Sequence, residues 1–183
     1  MTAAVLALVT GCATSEPPAQ QAAVSGGEST NAPQPSAGSA VRLIDELDRL
    51  PLDERPDTLM ASVRPRELVL TDQEGERVLP LPDDRFYLSV APYVSTTHEC
   101  FYHSLTTCTG ELGDRKVHVT ATDDAGRVLL DRSATTFDNG FLGLWLPRDV
   151  TGTLTIRSGS KRGQVPFGTG DQDPTCLTTL RLS

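Results

Sequence analysis

Beyond Glu67 the chain consists of short apolar segments separated by polar turns, and this rhythm most restricts its fold. Segments so short cannot be long helices, and their β-branched and aromatic content favours strands. "ELVLTDQEGERVLPL" reads as a hairpin around Gln73-Glu74-Gly75, and "RKVHVTATDDAGRVLLDRSATTF" as two strands joined through Asp123-Asp124-Ala125-Gly126. "DRFYLSVAPYVS", "NGFLGLWLP" and "TGTLTIRSGS" add further strands, and "CLTTLRLS" closes the chain. Strands at regular spacing with polar turns favour an antiparallel β-sandwich-like domain.

Upstream the pattern changes. "VRLIDELDRL" places Leu43, Leu47 and Leu50 at helical spacing until Pro51. "RPDTLMASVRP" reads as a second short helix capped by Asp57. The expected class is therefore mainly β (α+β), with a small helical unit over residues 41–66 before a β-rich domain over 67–183. The apolar helix faces can pack on the domain or on a second copy.

Residues 13–40 are rich in Pro, Ser, Gly, Ala and Gln. Such a stretch buries too little apolar surface to offset its ordering entropy, so it reads as a tether. Before it, an apolar run ends at Val9-Thr10-Gly11-Cys12. This resembles the end of a bacterial lipoprotein signal segment (residues 1–12), with Cys12 as the lipidated residue, although no Lys or Arg precedes the run. It implies an extracytoplasmic domain held to a membrane by lipid. The formal net charge of −8 argues against nucleic acid as a partner, because phosphates need cationic residues to neutralise them.

Two of the four cysteines and two of the three histidines crowd into "THECFYHSLTTCTGEL". With Cys12 lipidated, Cys100, Cys108 and Cys176 remain, and an odd number leaves at least one thiol without an internal partner. One reading is a Cys100–Cys108 disulfide with Cys176 buried and inert. The other is convergence of the three thiolates on one soft cation. Thiolates favour Cu(I), with zinc as the main competitor. Structural zinc usually takes a fourth protein ligand, and Cys-x₂₋₄-Cys knuckles are missing. In an extended 98–102 segment, His98 and Cys100 share one side while Phe101 and His103 share the other. His98 is then the better fourth ligand, and His103 joins only if the chain turns directly after Tyr102. His118 alternates with Val117 and Val119 and reads as a solvent-facing strand residue.

Other chemistries find less support. No Cys-x-x-Cys motif exists, although thiol-redox or metal-reducing activity of Cys100 and Cys108 is an alternative. Ser158-x-x-Lys161 falls in a turn without companion motifs. A disulfide-stapled, lipid-anchored binding module is the non-metal alternative. The expected role is binding and not catalysis.

"APYVSTTHECFYHSLTTCTGEL" and "VPFGTGDQDPTCLTTLRL" resemble the two signature blocks of the CueP family of envelope copper-binding proteins. The likeness runs from about Val41 to Ser183. It implies copper binding by Cys100, Cys108 and Cys176, with His98 and His103 close by. It also implies a copper store or chaperone serving an envelope Cu/Zn superoxide dismutase, and a homodimer through the N-terminal part. The lipobox and long tether depart from the family's soluble periplasmic members.

Overall fold

The structure, a computed structural model, describes residues 36–183. The lipobox, Cys12 and the tether up to residue 35 lie outside the described residues.

The order of elements is α1 (Ala37–Asp48), a 3-10 turn (Leu52–Glu54), then β1 (Met60–Val63), β2 (Glu67–Asp72), β3 (Gly75–Pro80), β4 (Arg85–Val90), β5 (His103–Ser104), β6 (Lys116–Asp123), β7 (Val128–Thr135), β8 (Leu142–Pro147), β9 (Thr151–Ser158), β10 (Lys161–Gly168) and β11 (Cys176–Leu177). They form three sheets, in the orders β3-β2-β1-β5, β10-β9-β6-β7 and β11-β4-β8. All pairings are antiparallel except β11 with β4. The mainly β, sandwich-like class is therefore as expected, with one α-helix ahead of the strands.

The β11-β4-β8 sheet is covered on both faces, so its strands are buried almost throughout. Phe86, Leu88 and Val90 of β4 and Leu142, Leu144 and Leu146 of β8 face one core, shared with Val119 and Ala121 of β6 and Leu154 and Ile156 of β9. The alternate residues Tyr87 and Trp145 face a second core, made with Ala40, Ile44 and Leu47 of α1 and Ala61, Val63, Leu68 and Leu70 of β1 and β2. Period-two alternation along β4 and β8 thus joins two apolar layers through one sheet.

Two local expectations are corrected. The "RPDTLMASVRP" segment holds a strand, not a second helix. Met60–Val63 alternates buried Ala61 and Val63 with more exposed neighbours and pairs with β2, and tertiary pairing outweighs the helical propensity of so short a run. The first helix starts at Ala37, inside the stretch assigned to the tether, because Ala40 is fully buried and its side of the helix packs on the core. β10 pairs along its whole length with β9, and Ser158-x-x-Lys161 is the turn between them, as expected. The hairpins β2–β3 and β6–β7 fall where their turn residues placed them.

Candidate metal centre

Three chain segments converge beside the second core. β5 pairs with β1 and sets Val63 opposite His103. β11 runs parallel to β4 with Cys176 opposite Ser89. Thr175 ties the strands together: its hydroxyl donates to the Val63 carbonyl (2.6 Å) and accepts from the His103 N–H (3.0 Å). The Cys176 N–H in turn donates to the Phe101 carbonyl at 3.2 Å. These bonds draw the C-terminal segment against the 100–108 loop.

Cys100 and Cys176 are joined by a disulfide, and Cys108 is free. Of the two readings of the sulfurs, the one with a Cys100–Cys108 disulfide and an inert Cys176 is not what the structure holds: the bond links residues 76 apart in sequence because β11 carries Cys176 to the loop. Cys108 Sγ still lies 3.6 Å from Cys100 Sγ. Ser104 N–H donates to Cys108 Sγ at 3.4 Å, Cys108 N–H donates to the Ser104 carbonyl at 3.1 Å, and Arg55 Nη1 donates to the Cys108 carbonyl at 2.9 Å. The third cysteine is thus held at the disulfide by its backbone.

Both histidines of the segment reach the sulfurs. The donor atoms of His98, Cys100 and Cys108 lie within 4.8 Å of one another, and so do those of His103, Cys108 and Cys176. His98 is exposed, whereas His103 is fully buried. The chain bends at Phe101 and Tyr102, which is the turn His103 needed to join. His103 Nδ1 lies 3.9 Å from Cys176 Sγ, and its ring packs on Phe141 at 4.6 Å between centroids.

The far side of the His103 ring meets a residue the sequence reading passed over. Asp48, the last residue of α1, is fully buried. Its carboxylate accepts from His103 Nε2 (3.0 Å), from Asn139 Nδ2 (3.1 Å) and from the Tyr87 hydroxyl. Spacing held a signal: Asp48 follows Ile44 by four positions, so a carboxylate sat on the apolar face of an amphipathic helix. Nε2 bonded to a carboxylate directs Nδ1 at the sulfurs, the usual outer-shell support of a histidine ligand.

Charge follows this geometry. Burial raises the Asp48 carboxyl, but hydrogen bonds from His103, Tyr87 and Asn139 outweigh it and hold the group below its ordinary value. Burial pushes His103 down, yet Asp48 and Cys108 bring it up to about 8. Burial likewise raises the Cys108 thiol, and His103, the Ser104 N–H and Arg55 together bring it below the ordinary cysteine value.

The donor set, three sulfurs and imidazole nitrogen, is soft. It suits Cu(I) once the disulfide is reduced, and with His103 it also supplies the four donors that zinc takes. The Asp48 carboxylate, a hard oxygen ligand, is engaged by His103.

A family model described as periplasmic copper-binding protein CueP matches residues 42–181. The chain belongs to the CueP family. A crystal structure of S.CueP is 40% identical, covers 80% of this chain and 91% of that one, and superposes with a TM-score of 0.75. No curated protein matches the sequence. The CueP family is periplasmic and copper-binding, which fits an extracytoplasmic place for this chain. Among the described residues no helix is long and apolar enough to cross a membrane.

Proposed function

We propose that this chain is an extracytoplasmic copper-binding protein that sequesters Cu(I) through the thiolates of Cys100, Cys108 and Cys176. The convergence of all three sulfurs on one point carries the reading: Cys108 lies 3.6 Å from Cys100, to which Cys176 is bonded. His103, steered by Asp48, is the nitrogen donor on the buried side, and His98 is available on the exposed side. Loading needs the disulfide opened by two electrons and two protons from a thiol-class reductant, which frees three sulfurs for one cation.

The role is that of a binding protein and not an enzyme. Low coordination leaves Cu(I) open to an incoming ligand, so transfer to a client such as an envelope Cu/Zn superoxide dismutase proceeds through shared coordination. Lipidation at Cys12 would keep the domain near the membrane while the tether lets it search. A homodimer would use a surface other than the apolar face of α1, which its own sheet covers.

The test is anaerobic Cu(I) titration of the reduced chain against a competing chelator. One Cu(I) should bind, and Cys108→Ser or Cys176→Ser should each weaken it by more than about a hundredfold, beyond the loss typical of outer-shell changes. Undiminished binding in Cys176→Ser would remove that residue from the site and with it the three-sulfur reading.

A further inference from the structure

The free thiol stands against the disulfide. Cys108 Sγ is 3.6 Å from Cys100 Sγ, the central sulfur of the trio. Cys108 also lies within 4.8 Å of Cys176 Sγ and of the His103 ring nitrogen facing them. Its backbone is fixed by Ser104 and Arg55, so the close approach is built into the loop. Exchange passes through a nearly linear row of three sulfurs, so the Cys108 side chain must rotate from this resting place beside both bonded sulfurs to align with the Cys100–Cys176 bond.

We propose that the chain isomerises its own disulfide, with Cys108 displacing Cys176 from Cys100, so that the bond alternates between Cys100–Cys176 and Cys100–Cys108. This rests on the reading that the three sulfurs form one working centre, but it requires no copper. Cys108 loses its proton, and its sulfur electron pair forms the bond to Cys100 Sγ. The Cys100–Cys176 bond breaks, and its electron pair leaves on Cys176 Sγ, which takes up the proton. One S–S bond forms as one breaks, and no external oxidant or reductant enters. His103 Nδ1 sits 3.9 Å from Cys176 Sγ and within reach of Cys108, and so touches both ends of the proton's path.

The exchange moves the free thiol between two settings. Cys108 is half-buried and shares the exposed His98, whereas Cys176 is 1% exposed. In one isomer a partner can reach the thiol from solvent; in the other the thiol is closed off beside His103. The centre thereby alternates between a form whose free thiol is open to an incoming disulfide and a form whose free thiol is closed off from one.

The test uses the full-length, oxidised, metal-free chain in the presence of EDTA. Samples are acid-quenched, alkylated with N-ethylmaleimide and digested, and the linked and labelled peptides are mapped, with the Cys12 peptide scored separately. Both the Cys100–Cys176 and the Cys100–Cys108 links are expected, with label shared in matching proportion between Cys108 and Cys176. The proportions should not change over a tenfold range of protein concentration, and Cys108→Ser should show the Cys100–Cys176 link alone. Label on Cys108 only, with no Cys100–Cys108 link at any pace of alkylation, overturns the proposal. Because copper is absent throughout, this outcome is separate from the Cu(I) titration: a chain that exchanges but holds no Cu(I) sinks only the copper reading, and a chain that holds Cu(I) without exchanging sinks only the isomerisation.

Discussion

Asp48 Oδ1 lies 3.0 Å from His103 Nε2, with the two residues 55 positions apart and both side chains shut from solvent. The contact joins the end of the only α-helix among the described residues to strand β5, which carries the candidate nitrogen donor, so helix packing and the placing of that donor depend on each other. Asp48→Ala would strand the Tyr87 hydroxyl, His103 Nε2 and Asn139 Nδ2 in an apolar core. The expected loss of stability is about 3–5 kcal/mol, the cost of breaking a buried charged pair. Asp48→Asn keeps the shape and should lose less. Chemical denaturation of the two variants beside the parent checks the order.

The same pair predicts a pH dependence. His103 has a folded-state value of about 8 against an ordinary 6.5, so the folded chain binds the extra proton between those values. Its contribution is fully present below pH 6.5 and is lost as pH rises through about 8, a fall of about 2 kcal/mol. The lowered thiol of Cys108 works the other way, adding stability as pH climbs toward the ordinary cysteine range. Unfolding of Cys108→Ser between pH 6 and 9 removes the thiol's own titration and its share of the His103 shift, and leaves the share that Asp48 supplies, so stability should still decline across that window but by less than the full amount. A flat profile would mean that His103 does not hold its proton against Asp48.

The segments that repeat locally were readable from sequence, and those fixed by distant partners were not. The hairpins at Gln73–Gly75 and Asp123–Gly126 carry their own turn chemistry, and the cysteine and histidine cluster announced itself by density. Met60–Val63 carries a helix-compatible composition and becomes a strand only because β2 and β5 flank it. Whether Cys176 bonds to Cys100 or stands apart depends on the parallel pairing of β11 with β4, which no local pattern encodes. His103 is buried and His98 exposed because of two bends and a carboxylate from the helix, neither of which an extended 98–102 segment contains.

Gly140 marks where the loop after β7 presses on the cysteine loop. It adopts φ +79°, and a Cβ there would come within 2.6 Å of the Gly110 carbonyl carbon. Gly110 N–H donates to the Asn139 carbonyl at 2.6 Å, so neither backbone can yield alone. Gly140→Ala should cost about 2 kcal/mol or more and weaken Cu(I) binding by displacing Cys108. Gly126→Ala, at φ +82° but in open space, should cost about 1 kcal/mol and leave Cu(I) affinity unchanged. Equal effects of the two on Cu(I) affinity would deny the loop contact a role.

Arg55 is the remaining support of the third sulfur. Its Nη1 donates to the Cys108 carbonyl, while its buried Nε and Nη2 have no hydrogen-bond partner among the described residues. A buried guanidinium so incompletely satisfied is costly to keep, and its one bond goes to the backbone that sets the position of Cys108. Arg55→Met removes that bond and the nearby positive charge but retains much of the packed volume. Cu(I) affinity should fall about tenfold, the scale of an outer-shell loss. Global stability should change by less than removal of a fully paired buried charge would suggest, because the unsatisfied nitrogens disappear as well. Competition titration and denaturant unfolding on the same variant separate the two effects. An unchanged affinity would show that Ser104 alone holds Cys108 at the disulfide.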